Sequence, residues 1–287
     1  MTLPSWTLLG QSILSGVFIG ALYGLLGSGL SLTWGMLREI NLAHFALAFL
    51  GGYLTYSFAG TTGADPLLAL LFVVPGFFAF GAGLRALSAR FAMSPFNSLL
   101  VSFGLMVILE SLMQWIWTAD FRRLESHYGA LNYQLGSLYA PLPELLTLAA
   151  AIVLAVGAWA VLQHTEIGKA MRASSEDAPI AAAFGVNQKL LGLLLAGFSA
   201  ATAGVAGVFI ALSFTLAPAQ IYGWIGVVFA AVIIGGLGNP VGVLIAGIVI
   251  GVAEAVTMAV TAPSWAPLVS FSMLIAVLLV RPDRLSR

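Results

Sequence analysis

GQSILSGVFIGALYGLLGSGLSLT, Gly10 to Thr33, carries no charged residue. At 1.5 Å rise per residue a helix of this stretch measures about 36 Å, enough to cross the ~30 Å hydrocarbon core of a bilayer. A helix is also what such a run must form there, because hydrocarbon offers no partner for a free backbone N–H or C=O. Within it Gly16, Gly20 and Gly24 stand four residues apart and share one face, and Gly247 and Gly251 repeat the spacing far along the chain. Small residues at this interval let membrane helices approach closely.

Runs of the same kind recur. The pattern predicts crossings at about 10–33, 40–60, 66–90, 95–118, 142–163, 190–212, 223–236, 240–260 and 264–280. Apolar residues make up 60% of the chain, charged residues 8%, and mean hydropathy is +1.03, whereas a soluble domain carries about 25% charge. The expected fold is therefore all-α: a polytopic helical membrane protein of about eight or nine spans, some short or broken, in a single domain over residues 1–287. A β-barrel would need short alternating strands instead. There is no cysteine, which excludes disulfides and thiol-ligated metals, and the zero net charge has no basic run that would suit nucleic acid. The N-terminus lacks the positive start of a signal peptide and reads as the entry to the first span.

Two stretches interrupt the pattern: WGMLREINLAH (Trp34 to His44) and GGLGNPVG (Gly235 to Gly242). Irregular backbone survives in a membrane where protein or water covers it, so such breaks often border a transport path. Orientation follows from Lys and Arg. With nine crossings and a cytoplasmic C-terminus, the N-terminus is outside. The inside segments then hold Arg38, Arg85, Arg90, Lys169, Arg172, Lys189, Arg281, Arg284 and Arg287, leaving only Arg122 and Arg123 outside, in the external loop at 118–141.

The segment HTEIGKAMRASSEDAPIAAAFGVN (His164 to Asn187) concentrates charge in an otherwise greasy chain. Residues Ile167 to Glu176 suit a helix, with Arg172 and Glu176 spaced to pair at i, i+4. Asp177 can cap a second helix, Pro179 fits its first turn, and Gly185 can take the left-handed conformation that ends it. The prediction is a two-helix elbow between membrane crossings, either a solvated connection or a knob for a partner's groove.

Read together, GKAMRASSEDAPIAAAFGVN, the stretch GLSLTWGMLREINLAHFALAFLGGYLTY (Gly29 to Tyr56) and the stretch VVFAAVIIGGLGNPVGVLIAGIVIGVAEAV (Val227 to Val256) resemble the permease subunits of branched-chain amino-acid ABC importers, the Liv-type permeases. The absence of a long additional N-terminal region resembles the shorter, H-type subunit. The resemblance implies an inner-membrane protein of bacteria, not itself an enzyme. It would move a small amino acid by alternating access. Implied partners are a paralogous M-type permease, two ATP-binding subunits carrying ATP and Mg²⁺, and a periplasmic substrate-binding protein. The loop at 164–189 would be the coupling loop to the ATPases, with Gly168, Arg172, Glu176, Asp177, Ala181 and Gly185 matching the family pattern and Pro179 departing from it. Consistent with ATP being bound elsewhere, no G-x-x-x-x-G-K-[ST] phosphate loop occurs, and no cofactor is expected in this chain.

Ionisable groups inside spans are costly and read as functional candidates. Glu110 and Glu254 qualify, each following a proline (Pro95, Pro240) at the start of its span, so both are expected past the midplane toward the outside. They could contact substrate or brace neighbouring helices. Asn41, His44, Asn97 and Asn239 lie near the breaks and could satisfy freed backbone groups or line the path. A lone His without nearby ligands is no metal site, and no nucleophile–base set appears. In the external loop Arg122, Arg123 and Tyr128 are candidates for docking a binding protein, since mixed Arg and Tyr suit a protein rim. The competing class is an ion-coupled secondary transporter of a small polar solute built on Glu110 and Glu254. A passive channel with two Asn-Pro half-helices is not matched, because only Asn239-Pro240 is present.

Overall fold

The structure is a computed structural model and describes residues 5–91 and 95–280; Arg281, Arg284 and Arg287, used above for sidedness, lie outside the described residues. The chain runs α1 (Trp6–Leu37), α2 (Ala43–Thr62), α3 (Leu70–Arg90) and α4 (Pro95–Trp117), then a short hairpin of β1 (Asn132–Leu135) and β2 (Leu138–Pro141). It continues through α5 (Leu142–His164), the two short helices α6 (Glu166–Glu176) and α7 (Ala178–Ala183), α8 (Gln188–Ser213), α9 (Ile221–Gly235), α10 (Pro240–Val260) and α11 (Ala266–Val280). This is an all-α polytopic membrane protein. Every predicted crossing corresponds to a helix.

Eight of these elements are long and apolar enough to span a bilayer on composition alone. The exception is α2, and its position accounts for that. Ala43 to Phe49 is buried without a break, and Gly51, Gly52, Tyr53 and Thr55 follow. Surrounded by protein rather than lipid, its 20 residues can be less greasy while still measuring about 30 Å.

Close packing of backbones organises the bundle. A Cβ placed on Gly20 would collide with the Gly247 carbonyl and come within 2.5 Å of the Ile248 Cα; one on Gly16 would meet the Val252 Cα at 2.5 Å. The two sets of four-spaced glycines are therefore the two faces of one antiparallel contact between α1 and α10. Helix α8 packs in the same manner on its other neighbours. Gly207 faces Ala48 and Gly52 of α2, while Gly204 receives Val73 and Phe77 of α3. Consequently α1 and α8 are the core of the molecule, each 72% buried over its most apolar window, whereas α11 is 11% buried and lies at the rim.

The antiparallel pairing defines two ends. One carries the start of α1 and the β hairpin, joined where Gln11 exchanges two 2.9 Å hydrogen bonds with the Tyr139 backbone. The other carries α6 and α7 and both sequence breaks. There the breaks meet: a Cβ on Gly35 would collide with the Gly238 N, and one turn back along α1 the Ser31 hydroxyl donates to the Gly236 carbonyl at 3.2 Å and accepts from the Gly238 N–H at 3.0 Å. Gly236 and Gly238 have φ of 100° and 75°, and Arg38, at the C-terminus of α1, sits at 55°. Such angles suit glycine and strain arginine.

Gly20→Leu should abolish the α1–α10 contact, since an overpacked interface has no soft side chain to displace; the expected loss is about 3 kcal/mol or more. Gly157, around which nothing lies within 4 Å, should accept alanine without loss. Thermal unfolding of the two variants in detergent checks the contrast.

Candidate functional site

The elbow is built as a rigid knob. Thr165 caps α6 by accepting from the Gly168 N–H at 3.0 Å. Gly168 lets α6 lie on the end of α5, because a Cβ there would stand 2.5 Å from the Leu162 Cα. Met171 is buried in one cluster with Leu32, Leu162, Leu191 and Leu195, which ties the elbow to α1, α5 and α8. Asp177 caps α7 through a 2.9 Å bond from the Ile180 N–H, Pro179 sits in the first turn, and Gly185 leaves it with φ of 90°. Gln188 closes the base by donating to Ser174 Oγ and the Ala178 carbonyl.

One local expectation differs. Arg172 donates to Gln163 Oε1 at 3.1 Å rather than pairing with Glu176, because α6 is folded back over the end of α5 and brings Gln163 within reach. The charge pair on α6 is Lys169 with Glu166, at 2.8 Å. Gly168 and Ala181 face inward and set the elbow's shape, whereas Glu176, Asp177 and Gly185 face solvent. Sequence reasoning missed the most prominent feature: Ile180 is 57% and Phe184 87% exposed, side by side at i, i+4 on α7 and its end. Two large apolar residues at one-turn spacing in a polar loop were the available signal.

At the same end Arg85 and Glu39 form a 2.5 Å ion pair, each about a quarter exposed, linking the first break to α3. The Arg38 guanidinium reaches the Ser175 carbonyl at 3.4 Å and so touches the elbow. Asn41 lines a small pocket of about 80 Å³ in which Glu39, Arg85 and Ser102 stand among apolar side chains such as Leu37 and Leu105. Asn97 is exposed on the first turn of α4, and Asn239 caps α10 by accepting from the Gly242 N–H at 3.0 Å.

His44 is wholly buried. Its Nε2 lies 2.8 Å from the Leu26 carbonyl and its Nδ1 3.2 Å from Ser199 Oγ, so it staples α1, α2 and α8. Glu254 on α10 accepts from the Tyr23 hydroxyl of α1 at 3.0 Å. Glu110 on α4 accepts from the Tyr222 hydroxyl of α9 at 2.5 Å and from Gln114 Nε2 at 3.1 Å. The six polar candidates within the bundle do not converge on one site. Among the described residues no group of three or more His, Cys, Asp or Glu could hold a metal ion.

At the hairpin end the backbone of Arg122 pairs in both directions with Leu216, and its guanidinium donates to the Trp117 carbonyl and Thr118 Oγ1. These bonds fasten the loop to the ends of α4 and α8. Arg123 is exposed and borders an open hollow of about 520 Å³ with Tyr56, Thr61 and Glu125. Tyr128 donates to Asp65 at 2.6 Å, and this bond to the carboxylate pushes its pKa up to about 12.

A multi-pass helical bundle with paired breaks and a capped elbow between spans defines a polytopic integral membrane protein. Residues 12–278 match a family model described as the permease component of branched-chain amino acid transport systems, and the chain belongs to that family. It is 27% identical over 290 residues to the high-affinity branched-chain amino acid transport system permease protein LivH of Salmonella typhimurium, covering 95% of this chain and 93% of the relative. It is 24% identical over 294 residues to the permease protein BraD of Pseudomonas aeruginosa, covering 95% and 94%. A probable LivH of Methanocaldococcus jannaschii is 28% identical over 293 residues, covering 95% and 91%. Among solved structures, PsaBC from Streptococcus pneumoniae in complex with Fab superposes with a TM-score of 0.47 at 12% identity, over 96% of this chain and 93% of that one.

Removing either partner of the Glu39–Arg85 pair should destabilise by more than removing both, because a half-buried charge is left alone. A double-mutant cycle with Glu39→Gln and Arg85→Gln, read by thermal unfolding, should give a coupling of about 1 kcal/mol.

Proposed function

We propose that this chain is one of two permease subunits forming the pore of an ATP-driven importer in the bacterial inner membrane, carrying a small amino acid, branched-chain or related. In this reading the elbow end is cytoplasmic and the hairpin end periplasmic. The distribution of positive charge supports it: Arg38, Arg85, Arg90, Lys169, Arg172 and Lys189 lie at the elbow end, against Arg122 and Arg123 at the other. The carrying observation is the elbow itself. It is fastened to α1, α5 and α8 on its inner side and presents Ile180, Phe184 and the carboxylates of Glu176 and Asp177 outward.

An apolar pair at the tip of a capped, charged knob fits a groove on a soluble partner. That partner is an ATP-binding subunit, two of which would serve this chain and a paralogous M-type permease, with ATP and Mg²⁺ held in the ATPases. Their closure pushes on the elbow and re-aims the helices that hold it, while a periplasmic binding protein delivers cargo at the end bearing Arg123 and Tyr128. Membership of the permease family disfavours the ion-coupled carrier.

The test is affinity purification of the chain from native membranes in mild detergent, with the ATP-hydrolysing subunits quantified. Phe184→Asp, at a position with no packing to lose, should reduce their recovery about tenfold or more, the size expected of a central anchor residue. Equal recovery with wild type and variant would place the ATPase contact elsewhere.

A further inference from the structure

Apart from Glu144 in the first turn of α5, two carboxylates lie within the membrane-spanning helices, and their surroundings differ. Glu254 is itself buried in its own bundle, and its partner Tyr23 is half-buried on α1. Glu110 is recessed beside an open face. It stands seven residues before the end of α4 at Trp117, about 10 Å below that end. Its two donors, Tyr222 and Gln114, are both exposed, as are Ser111 and Gly223 beside them in sequence. Further down α4, Gly104 has nothing within 4 Å of where a side chain would start.

Lipid is a poor cover for such a face. Amide, hydroxyl and carboxylate groups at this depth are tolerated where they meet water or protein. Tyr222 stands in the first turn of α9, directly after the 3₁₀ turn Pro218–Gln220, so it lies near the hairpin end of that span. Both oxygens of Glu110 receive neutral donors, and among the described residues Glu110 makes no ion pair. A carboxylate held this way is oriented but not neutralised, and a cation entering the face gains the full attraction of an unpaired charge in a poorly screened setting.

We propose that Glu110 is a cargo-contacting residue of the translocation path, receiving the α-ammonium group of the amino acid, with Tyr222 and Gln114 as positioning residues that hold its carboxylate toward the open face. Glu254 has no such role and braces α1 and α10. This rests on the importer reading above.

The experiment uses the whole importer, the chain with its co-purifying partners reconstituted in proteoliposomes, and measures ATP-dependent uptake of radiolabelled L-leucine, L-isoleucine and L-valine. Wild type is compared with Glu110→Gln, Glu110→Asp and Glu254→Gln, each rate being normalised to assembled complex, with thermal unfolding measured in parallel. Glu110→Gln keeps the shape and hydrogen-bonding capacity but loses the charge. It should lower uptake per complex about tenfold, as expected for one charged hydrogen bond, with its unfolding temperature near that of wild type; Glu110→Asp should recover part of the rate. Glu254→Gln should show the reverse, a lower unfolding temperature with uptake per complex retained. The assignment is overturned if Glu110→Gln transports at the wild-type rate, or if its uptake falls only as its complex falls apart; the importer reading survives either result. Wild-type complex that takes up none of the three amino acids would instead remove the importer reading, and this proposal with it.

Discussion

The close approach of α1 and α10 is the contact on which the other features depend. Gly16, Gly20 and Gly24 lie against Gly251, Gly247 and Leu244, backbone to backbone. Lipid tails are as apolar as leucine, so membrane helices gain little from hiding apolar side chains from each other, and what holds them is the number of atoms in contact. Removing side chains from both faces maximises that number and fixes the pair's register to a single turn. Register here has a consequence: running antiparallel from these glycines, the two helices bring Ser31 of α1 to Gly236 and Gly238, so the irregular turn before α10 finds partners for its backbone. A slip of one turn would leave those carbonyls and N–H groups facing hydrocarbon.

What the sequence made legible was local. Apolar run length located the spans, and four-residue glycine spacing identified packing faces, because both are properties of one helix taken alone. The cap at Asp177 and the left-handed Gly185 were equally readable, since each depends on atoms within three or four residues. Which glycine face met which was not readable, as nothing in a 3.6-residue period names a partner more than two hundred residues away. The Arg172 pairing differed for the same reason: the i, i+4 geometry was available, but the fold-back of α6 offered Gln163 instead. The hairpin of β1 and β2 escaped notice because four-residue strands carry no usable periodicity. Helix α2 illustrates the opposite case, in which a weaker apolar signal reflects deeper burial.

The two ends of the molecule are held in different ways. At the hairpin end the fastenings are hydrogen bonds between loops and helix tips, such as Gln11 with Tyr139 and Tyr128 with Asp65. At the elbow end the fastening is a packed apolar cluster in which Met171 reaches Leu32 of α1, Leu162 of α5 and Leu191 and Leu195 of α8. Interdigitated packing transmits displacement because its compressibility is low. In the proposed importer a load applied at Phe184 would pass to α1 and α8, the two most buried helices, before it reached the rim.

From α1 and α8 the load has two onward routes, and they end at different polar groups. Through His44, bonded to Leu26 of α1 and Ser199 of α8, it meets a closed joint in the middle of the bundle. That joint moves α2 with its neighbours as one body. Through the Ser31 contact it meets the Gly236–Asn239 turn, whose two positive-φ glycines let α9 and α10 pack backbone to backbone where Gly235 faces Val243 and Gly242. The far end of α9 carries Tyr222, whose hydroxyl holds Glu110. Glu110 is thus held from α9 beside an open face, while Glu254 is held between α1 and α10 in the core. The division follows from where the sequence spends its glycines: in register on α1 and α10 for contact along their length, and at positive φ where the chain turns from α9 into α10.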